Sequence, residues 1–284
     1  MNKKIFLCVG GDARYIYMSK ALAAYSKVYT YGIDEFCSTE KLENLWDMTE
    51  KADVLVLPLF KNDRQEIDCR SYGTVTFSSL VPFLKKNAMV VGGRMSPGQA
   101  GYFQSEGFET KDYFKREELV IKNCIPTAEG ALQIALQELN CTMNKSRVLI
   151  IGFGRVGKAC GRLFKAVGSD VVCTARKYEA LAEGENMGLD SFHLNELCAR
   201  LDSFDVIINT VPAMILDKQM LKFVGKDTLI IDLASKPGGV DFDSALRMNK
   251  KVVHALSLPG RTAPETSGKI IAETIMNMVT ERGD

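Results

Sequence analysis

Three glycines, Gly152, Gly154 and Gly157, have the spacing G-x-G-x-x-G, which is typical of backbone that approaches a phosphate. They follow an aliphatic run at 148–151 that predicts a strand, and they precede residues 158–167, which predict a helix. In that context the first glycine permits a tight turn, the second admits a pyrophosphate, and the third lets the helix pack on the strand. The helix N-terminus then offers free N–H groups to the phosphates. We therefore predict a dinucleotide site; a glycine-rich turn without a ligand is the alternative.

The end of the next predicted strand distinguishes NAD from NADP. An NAD site usually has Asp or Glu there, about twenty residues past the motif, to bind the ribose 2′-hydroxyl. Here Thr174 and Ala175 are followed by two cations, Arg176 and Lys177. Two cations suit a 2′-phosphate, so we predict NADP as the cofactor, with NAD possible. The alternatives are that both cations belong to a solvated loop, or that Arg176 stacks on the adenine of either cofactor.

Three further loops, at 209–212, 232–239 and 257–264, follow predicted strands or open the last helix. Each could be an ordinary short turn. Ligands of open α/β sheets bind beyond the carboxyl ends of the strands, so we expect these loops near the cofactor. The predicted cofactor-binding residues are Gly152, Gly154, Arg155, Val156, Gly157, Thr174, Ala175, Arg176, Lys177, Thr210, Val211, Pro212, Asp232, Ala234 and Ser235.

Four cations in predicted loops could bind a small dianionic substrate between two domains: Arg14, Arg94, Lys236 and Arg261. Arginine forms bidentate bonds to carboxylates, although any one of the four could be an ordinary surface cation. The predicted substrate-binding residues are Gly11, Asp12, Arg14, Arg94, Thr127, Lys236, Gly238, Gly239, Arg261 and Thr262.

No general base can be assigned from the sequence. The candidates are Glu129 and His193, although His193 could also have a purely structural role. His254 lies in a predicted apolar strand, where we expect it to be buried. The sequence contains no nucleophile elbow and no Walker lysine motif. It also contains no cluster of metal ligands, so we predict no metal site.

Composition narrows the class of protein further. The chain has 284 residues, 46% hydrophobic and 25% charged, with a net charge of +1. That length suits two domains, and the charge does not indicate a nucleic-acid or membrane partner. The apolar stretch after Lys4 ends at Gly10, too early for a signal peptide, so we expect a cytoplasmic protein. The eight cysteines form no C-x-x-C pair and are expected to be reduced.

Strand-like and helix-like segments alternate in both halves of the chain, which predicts an α/β fold. We expect two Rossmann-like, doubly wound parallel-sheet domains with a cleft between them. Residues 1–125 would form the substrate domain and 126–262 the NAD(P)-binding domain, while a helix within 263–284 packs back on the first. The less regular predictions are helices over 41–51, 79–86 and 131–140, the last capped by Thr127, and a loop over 58–77.

The chain resembles the A subunit of bacterial dipicolinate synthase. The segments that carry the resemblance are GGDAR at 10–14, IPTAEG at 125–130, GFGRVGK at 152–158, INTVPAMIL at 208–216, DLASKPGGVDF at 232–242 and LPGRTAPETSGKI at 258–270. They cover nearly the whole chain, although residues 39–87 contain no such marker. The resemblance implies an architecture similar to that of D-2-hydroxyacid and alanine dehydrogenases.

The resemblance also implies a function. The family forms dipicolinate, pyridine-2,6-dicarboxylate, from a dihydrodipicolinate or hydroxytetrahydrodipicolinate of the lysine pathway, in the mother cell of a sporulating bacterium. It works with a flavoprotein-like B subunit, and we expect a homo-oligomer. Two alternatives remain: a non-catalytic regulatory protein that senses NADP, and a generic 2-hydroxyacid-type dehydrogenase. The second expects a histidine base near the last strand, and residues 256–262 contain none.

Overall fold

The structure is a computed structural model, and it describes residues 3–33, 39–69 and 72–283. The chain forms two compact units, the first made of Met1–Asn123 with Ala263–Asp284 and the second of Cys124–Thr262. The first unit is therefore discontinuous in sequence, whereas the second is continuous. Each unit has its own parallel sheet.

The first unit contains β1 (Ile5–Val9), β2 (Lys27–Tyr31), β3 (Glu40–Leu42), β4 (Ala52–Leu59), β5 (Glu66–Asp68), β6 (Thr74–Thr76), β7 (Leu84–Gly93) and β8 (Glu109–Asp112). The parallel sheet follows the order β3-β2-β1-β4-β7-β8, and β5 pairs with β6 antiparallel. The helices are α1 (Ala13–Ala23), α2 (Phe77–Leu80) and α3 (Pro97–Ser105). All of β1 is buried, as expected for a central strand with helices on both faces.

One long helix, α4 (Glu117–Glu138), begins in the first unit and ends in the second. The second unit then contains β9 (Arg147–Ile151), β10 (Asp170–Ala175), β11 (Asp190–His193), β12 (Val206–Asn209), β13 (Leu229–Asp232) and β14 (Lys251–His254). Its helices are α5 (Arg155–Ala166), α6 (Tyr178–Asn186), α7 (Phe242–Arg247) and α8 (Leu258–Thr262). The sheet order is β11-β10-β9-β12-β13-β14, all parallel.

Within each parallel sheet the strands therefore run in the order 3-2-1-4-5-6, which is the arrangement of doubly wound nucleotide-binding folds. The predicted α/β class with two parallel-sheet units is confirmed. In both sheets the connection reverses direction beside the first strand. That point is where such folds bind their ligands, at the carboxyl ends of the strands.

The last helix, α9 (Pro264–Glu281), belongs to the first unit and packs on α1. Gly268 makes the close approach possible, because a Cβ there would collide with the backbone carbonyl of Arg14. The predicted apolar face of this helix is buried as expected. Its members are Ile270, Ile271, Ile275, Met278 and Val279.

Three of the predicted elements in the first half are wrong. Residues 41–51 form no α-helix, since β3 ends at Leu42 and only a short 3₁₀ helix follows at Leu45–Asp47. The predicted helix over 79–86 is replaced by α2, a 3₁₀ turn and the start of β7, because Pro82 disfavours a longer helix. The predicted loop over 58–77 contains the β5–β6 hairpin.

The predicted start of the domain-linking helix is also wrong. The helix α4 begins at Glu117 and continues through Pro126, so Thr127 lies inside it and caps nothing. A proline inside a helix removes one backbone hydrogen bond. Burial of Ala128, Ala131 and Ala135 along one face accompanies the continuous helix, because tertiary packing supplies most helix stability.

Candidate functional site

The glycine-rich turn between β9 and α5 has the conformation that its spacing predicts. Gly152 has a φ of +88°, and its N–H donates to the carbonyl of Thr174 at 2.9 Å. A Cβ on Gly157 would lie well inside contact with the Gly152 carbonyl oxygen, so only glycine allows the helix to pack this closely. The Thr210 hydroxyl lies 3.0 Å from both the Ile151 and the Gly152 carbonyl oxygens. Thr210 therefore holds the turn from the neighbouring strand end.

Gly154 provides the opening in this turn. It is the N-cap of α5, and a Cβ built on it meets no atom within 4 Å. Arg155 and Val156, which are exposed and half-buried, form the first turn of the twelve-residue helix. Because the free N–H groups of a helix N-terminus attract anions, this space fits a pyrophosphate group.

The predicted adenosine end follows β10. Ala175 is buried, and the exposed Arg176 and Lys177 come directly after it. Lys177 makes an ion pair with Glu179 at 3.3 Å, but both side chains are more than 70% exposed, so the pair adds little. No side-chain hydrogen bond or ion pair engages the Arg176 guanidinium within the described ranges. Arg176 is thus an exposed cation at the end of β10.

Two predicted cofactor ligands are buried and make hydrogen bonds within the protein. Asp232 is fully buried, and its carboxylate accepts hydrogen bonds from Asn209 Nδ2 at 2.8 Å and from the backbone N–H groups of Ala234 and Gly239 at 3.2 and 2.9 Å. Thr174 is also fully buried and contributes its carbonyl to the glycine-rich turn. Both residues support the loops around the glycine-rich turn, and their predicted contact with the cofactor stays a prediction.

The loop after β13 divides into a buried part and an exposed part. Gly238 and Gly239 are buried, and a Cβ on Gly239 would collide with Asn209 Nδ2, so these glycines shape the loop. Their predicted contact with substrate stays a prediction. Ser235 and Lys236 are exposed on the same loop, where a ligand can reach them. Among the other predicted residues nearby, Val211 is half-buried and Pro212 is exposed.

In the first unit, Arg14 already holds a carboxylate of this chain. Asp12 caps α1, and Arg14 Nε and Nη2 donate to its two carboxylate oxygens at 2.9 and 2.6 Å. Burial opposes both charges, but the hydrogen bonds and the ion pair outweigh it, so the pKa of Arg14 is raised and that of Asp12 is lowered. Arg14 stays a predicted substrate residue, but any further carboxylate must share its guanidinium with Asp12.

Arg94, by contrast, is exposed and open. It follows β7 with a φ of +53°, a left-handed conformation that is uncommon outside glycine. The Asp112 carboxylate holds this turn by accepting the N–H groups of Arg94 and Met95, each at 3.1 Å. The guanidinium carbon lies 4.8 Å from the centre of the Phe114 ring. Arg94 therefore presents its charge from a fixed backbone.

Comparison with known proteins identifies the family. Residues 6–114 match the family model of the N-terminal domain of the dipicolinate synthase A subunit, and residues 128–240 match the D-isomer specific 2-hydroxyacid dehydrogenase, NAD binding domain. The crystal structure of the dipicolinate synthase A subunit from Bacillus halodurans has a TM-score of 0.86 and 30% identity, covering 98% of each chain. The chain belongs to the family of dipicolinate synthase A subunits. Its second unit is thus a dehydrogenase-type NAD-binding domain, and the resemblance found in the sequence is confirmed.

Two further relatives agree with this family. The crystal structure of the dipicolinate synthase A chain from Bacillus subtilis has a TM-score of 0.86 and 29% identity, covering 99% of this chain and 97% of that one. The A subunit of dipicolinate synthase from Bacillus subtilis (strain 168) is 40% identical over 168 residues, which span 59% of this chain and 57% of that relative.

The structure of this member of the dipicolinate synthase family does not single out one of the candidate general bases. Glu129 is exposed on α4, and Thr127 is half-buried two residues earlier in the same helix. His193 binds backbone groups through both ring nitrogens. His254 is half-buried and stacks on Phe242, with 4.6 Å between the ring centres. No general base is assigned.

Sequence reasoning missed Lys61, a cation of the first unit. Lys61 is exposed two residues after the end of β4. Burial raises the pKa of Asp12, but Arg14 and, to a smaller extent, the charge of Lys61 lower it. The position of a lysine just beyond a buried parallel strand could have indicated it.

Neither a metal cluster nor a membrane span occurs in the part of the chain that the structure describes. No group of three or more His, Cys, Asp or Glu residues that could hold a metal ion is found among the described residues. Cys37 lies outside those residues. Among the helices described, none is both long and apolar enough to cross a bilayer.

Asp12→Asn is expected to lower the free energy of unfolding at neutral pH. The loss should be about 1–3 kcal/mol, because the substitution removes the charge that pairs with a buried guanidinium. The Asp12 side chain is 42% exposed, so we expect a value at the low end of this range. The pKa of Asp12 is lowered in the folded state, so its contribution is present above the ordinary value of 3.8 and is lost as pH falls through the folded value. Urea unfolding should show the two proteins converging below about pH 4. A difference that stays constant with pH would contradict this.

Proposed function

We propose that this chain is the NADP-dependent dehydrogenase component that forms dipicolinate from a dihydrodipicolinate, or from a hydroxytetrahydrodipicolinate that has first lost water. The observation that carries the proposal is the glycine-rich turn, in which Gly154 leaves space for a pyrophosphate. Beside it, the end of β10 is followed by Arg176, where an NAD site usually has Asp or Glu. The family supports the same product, as does the name of its Bacillus relatives.

The oxidation removes two electrons and two hydrogens from the dihydropyridine ring. When bound, the nicotinamide supplies the hydride acceptor, and the second hydrogen leaves as a proton. Aromatisation of the ring provides driving force. The task of this chain is then to bind and orient the cofactor through Gly152, Gly154 and Gly157, and to bind the two carboxylates of the substrate.

We propose cations in each unit that could bind the carboxylates of the substrate. In the second unit, Lys236 on the loop after β13 and Arg261 on α8 are both exposed. In the first unit, Arg94 is the open cation, while Arg14 is committed to Asp12. Thr262 is half-buried next to Arg261 and packs near Gly130, and it stays a proposed substrate residue.

A regulatory protein that binds NADP without turnover is the second candidate. It is favoured by one observation, that both ring nitrogens of the candidate base His193 are used by the backbone. In either case the partner proposed is a flavoprotein-like B subunit. We also propose a homo-oligomer that acts in the mother cell of a sporulating bacterium.

One assay separates these functions. The purified chain, alone and with a B subunit, is mixed with NADP and freshly generated dihydrodipicolinate, and the absorbances of reduced nicotinamide and of dipicolinate are followed together. A dehydrogenase should produce the two in equal amounts. Bound NADP that is never reduced, in the presence of the partner, would favour the regulatory protein.

Arg176→Ala is expected to weaken NADPH binding about 10- to 100-fold, because it removes a charged partner of the 2′-phosphate. NADH lacks that phosphate, so its affinity should hardly change. Titrations followed by the fluorescence of the reduced nicotinamide would measure both dissociation constants. Arg162→Ala, at an exposed arginine of α5, is the matched control and should change neither. Equal losses for both cofactors would reject the NADP assignment.

A further inference from the structure

His193 connects the ends of two neighbouring strands. It ends β11, and its register partner in the parallel ladder is Ala175, the last residue of β10. Its ring Nδ1 accepts the backbone N–H of Asn195 at 3.3 Å, and its Nε2 lies 3.0 Å from the carbonyl oxygen of Arg176. Because a carbonyl can only accept, Nε2 carries the hydrogen and donates it.

The same ring contacts the next part of the turn. His193 stacks on Tyr178, with 5.2 Å between the ring centres and 25° between the planes. Tyr178 begins α6 and is 76% exposed, so its other face is open to solvent. One imidazole thus fixes the turn at two points: the main chain of Arg176 and the ring of Tyr178.

The Arg176 side chain has no comparable support. It is exposed, and within the described part of the chain no side-chain partner engages its guanidinium. The direction in which it leaves the turn is therefore set by its backbone. The hydrogen bond from His193 acts on that backbone directly.

We propose that His193 is a positioning residue for cofactor selection, which holds Arg176 so that its guanidinium meets the 2′-phosphate of NADP. This inference rests on the proposed NADP preference. His193 touches no phosphate itself, and the pyrophosphate end of the site, at Gly152–Gly157, lies on a different turn. Its loss should therefore affect NADPH binding and leave NADH binding nearly unchanged.

His193→Asn is the informative variant. Asparagine is a good capping residue and can still accept the Asn195 N–H, but its side chain is too short to reach the Arg176 carbonyl as well. The dissociation constant for NADPH should rise about 3- to 10-fold, the range expected for one neutral hydrogen bond, while that for NADH stays within about twofold. The melting temperature should remain near that of the wild type.

A double variant tests whether the effect passes through Arg176. In an Arg176→Ala background, His193→Asn should weaken NADPH binding no further, since coupled residues are not additive. Equal losses for NADPH and NADH, no loss for either, or full additivity with Arg176→Ala would overturn the proposal. If Arg176→Ala alone leaves the ratio of the two affinities unchanged, the NADP assignment itself fails, and the positioning role with it.

Discussion

Alanine at Gly154 is expected to remove most of the cofactor affinity while leaving the fold intact, whereas alanine at Gly157 should damage both. A Cβ on Gly154 meets no protein atom within 4 Å, so the apo protein can accept it. That Cβ would instead occupy the space through which a pyrophosphate approaches the backbone. We expect at least about a 100-fold loss of affinity for both NADPH and NADH.

Gly157 offers the opposite case. Its Cβ would overlap the carbonyl oxygen of Gly152, a backbone atom that cannot move without breaking the turn. Forcing the two apart should lower the free energy of unfolding by about 2–4 kcal/mol and abolish cofactor binding as a consequence.

The measurements are urea unfolding of the apo protein and nucleotide titration of each variant, with Gly101→Ala as a control because a Cβ there also meets nothing within 4 Å. The control should bind cofactor like the wild type. If Gly154→Ala bound NADPH normally, the pyrophosphate would not lie on this turn. If Gly157→Ala unfolded like the wild type, the helix packing described for Gly157 would be wrong.

Arg261→Ala is expected to reduce kcat/KM for the dicarboxylate substrate by about 30- to 1000-fold, equivalent to about 2–4 kcal/mol. Arg261 lies on α8 directly after the last strand of the second unit, and its side chain is exposed. A substrate carboxylate that loses its partner is left desolvated, which accounts for the size of the effect. Dissociation constants for NADPH should hardly change.

The control for this variant is Arg162→Ala in the same unit. Lys165 would be a poor choice, because its ammonium donates to the carbonyls of Met187 and Gly188, both at 2.8 Å, and its loss should affect stability. Steady-state kinetics with dihydrodipicolinate, together with NADPH titration, would decide the matter. Unchanged kinetics, or an equal loss of NADPH affinity, would remove Arg261 from the substrate site.

The part of the site that depends on local geometry could be predicted from the sequence. Gly152, Gly154 and Gly157 act within six residues of one another, so their spacing alone specifies the turn. The capping of α1 by Asp12 is equally local, and its pairing with Arg14 could have been inferred from the i, i+2 spacing at a helix N-terminus. The same residues also suit an arginine that binds a ligand, and in the structure its guanidinium is paired with Asp12.

The remaining part depends on residues far apart in the chain. The hydrogen bond between Asn209 and Asp232 joins residues 23 positions apart, and it holds the carboxylate of a predicted ligand in the interior. Asp112 fixes Arg94 across 18 positions. No periodicity reveals such pairs. The three-residue strand β3 could not be predicted for a related reason. So short an edge strand is extended because it pairs with β2, not because of its own sequence.

The placement of α9 has a consequence for how this chain folds during translation. The ribosome delivers β1 and α1 first, but the helix that covers Met18 and Leu22 of α1 comes after every other element described. The unit encoded first is therefore completed last, and the continuous Cys124–Thr262 unit has all its strands available earlier. A nascent chain must keep the apolar side of α1 from aggregating while everything between Ala23 and Pro264 is made, which includes the whole of the second unit, residues 124–262. A premature stop before Pro264 would remove part of the core of the first unit. The truncated protein would be partly folded and a substrate for quality-control proteases.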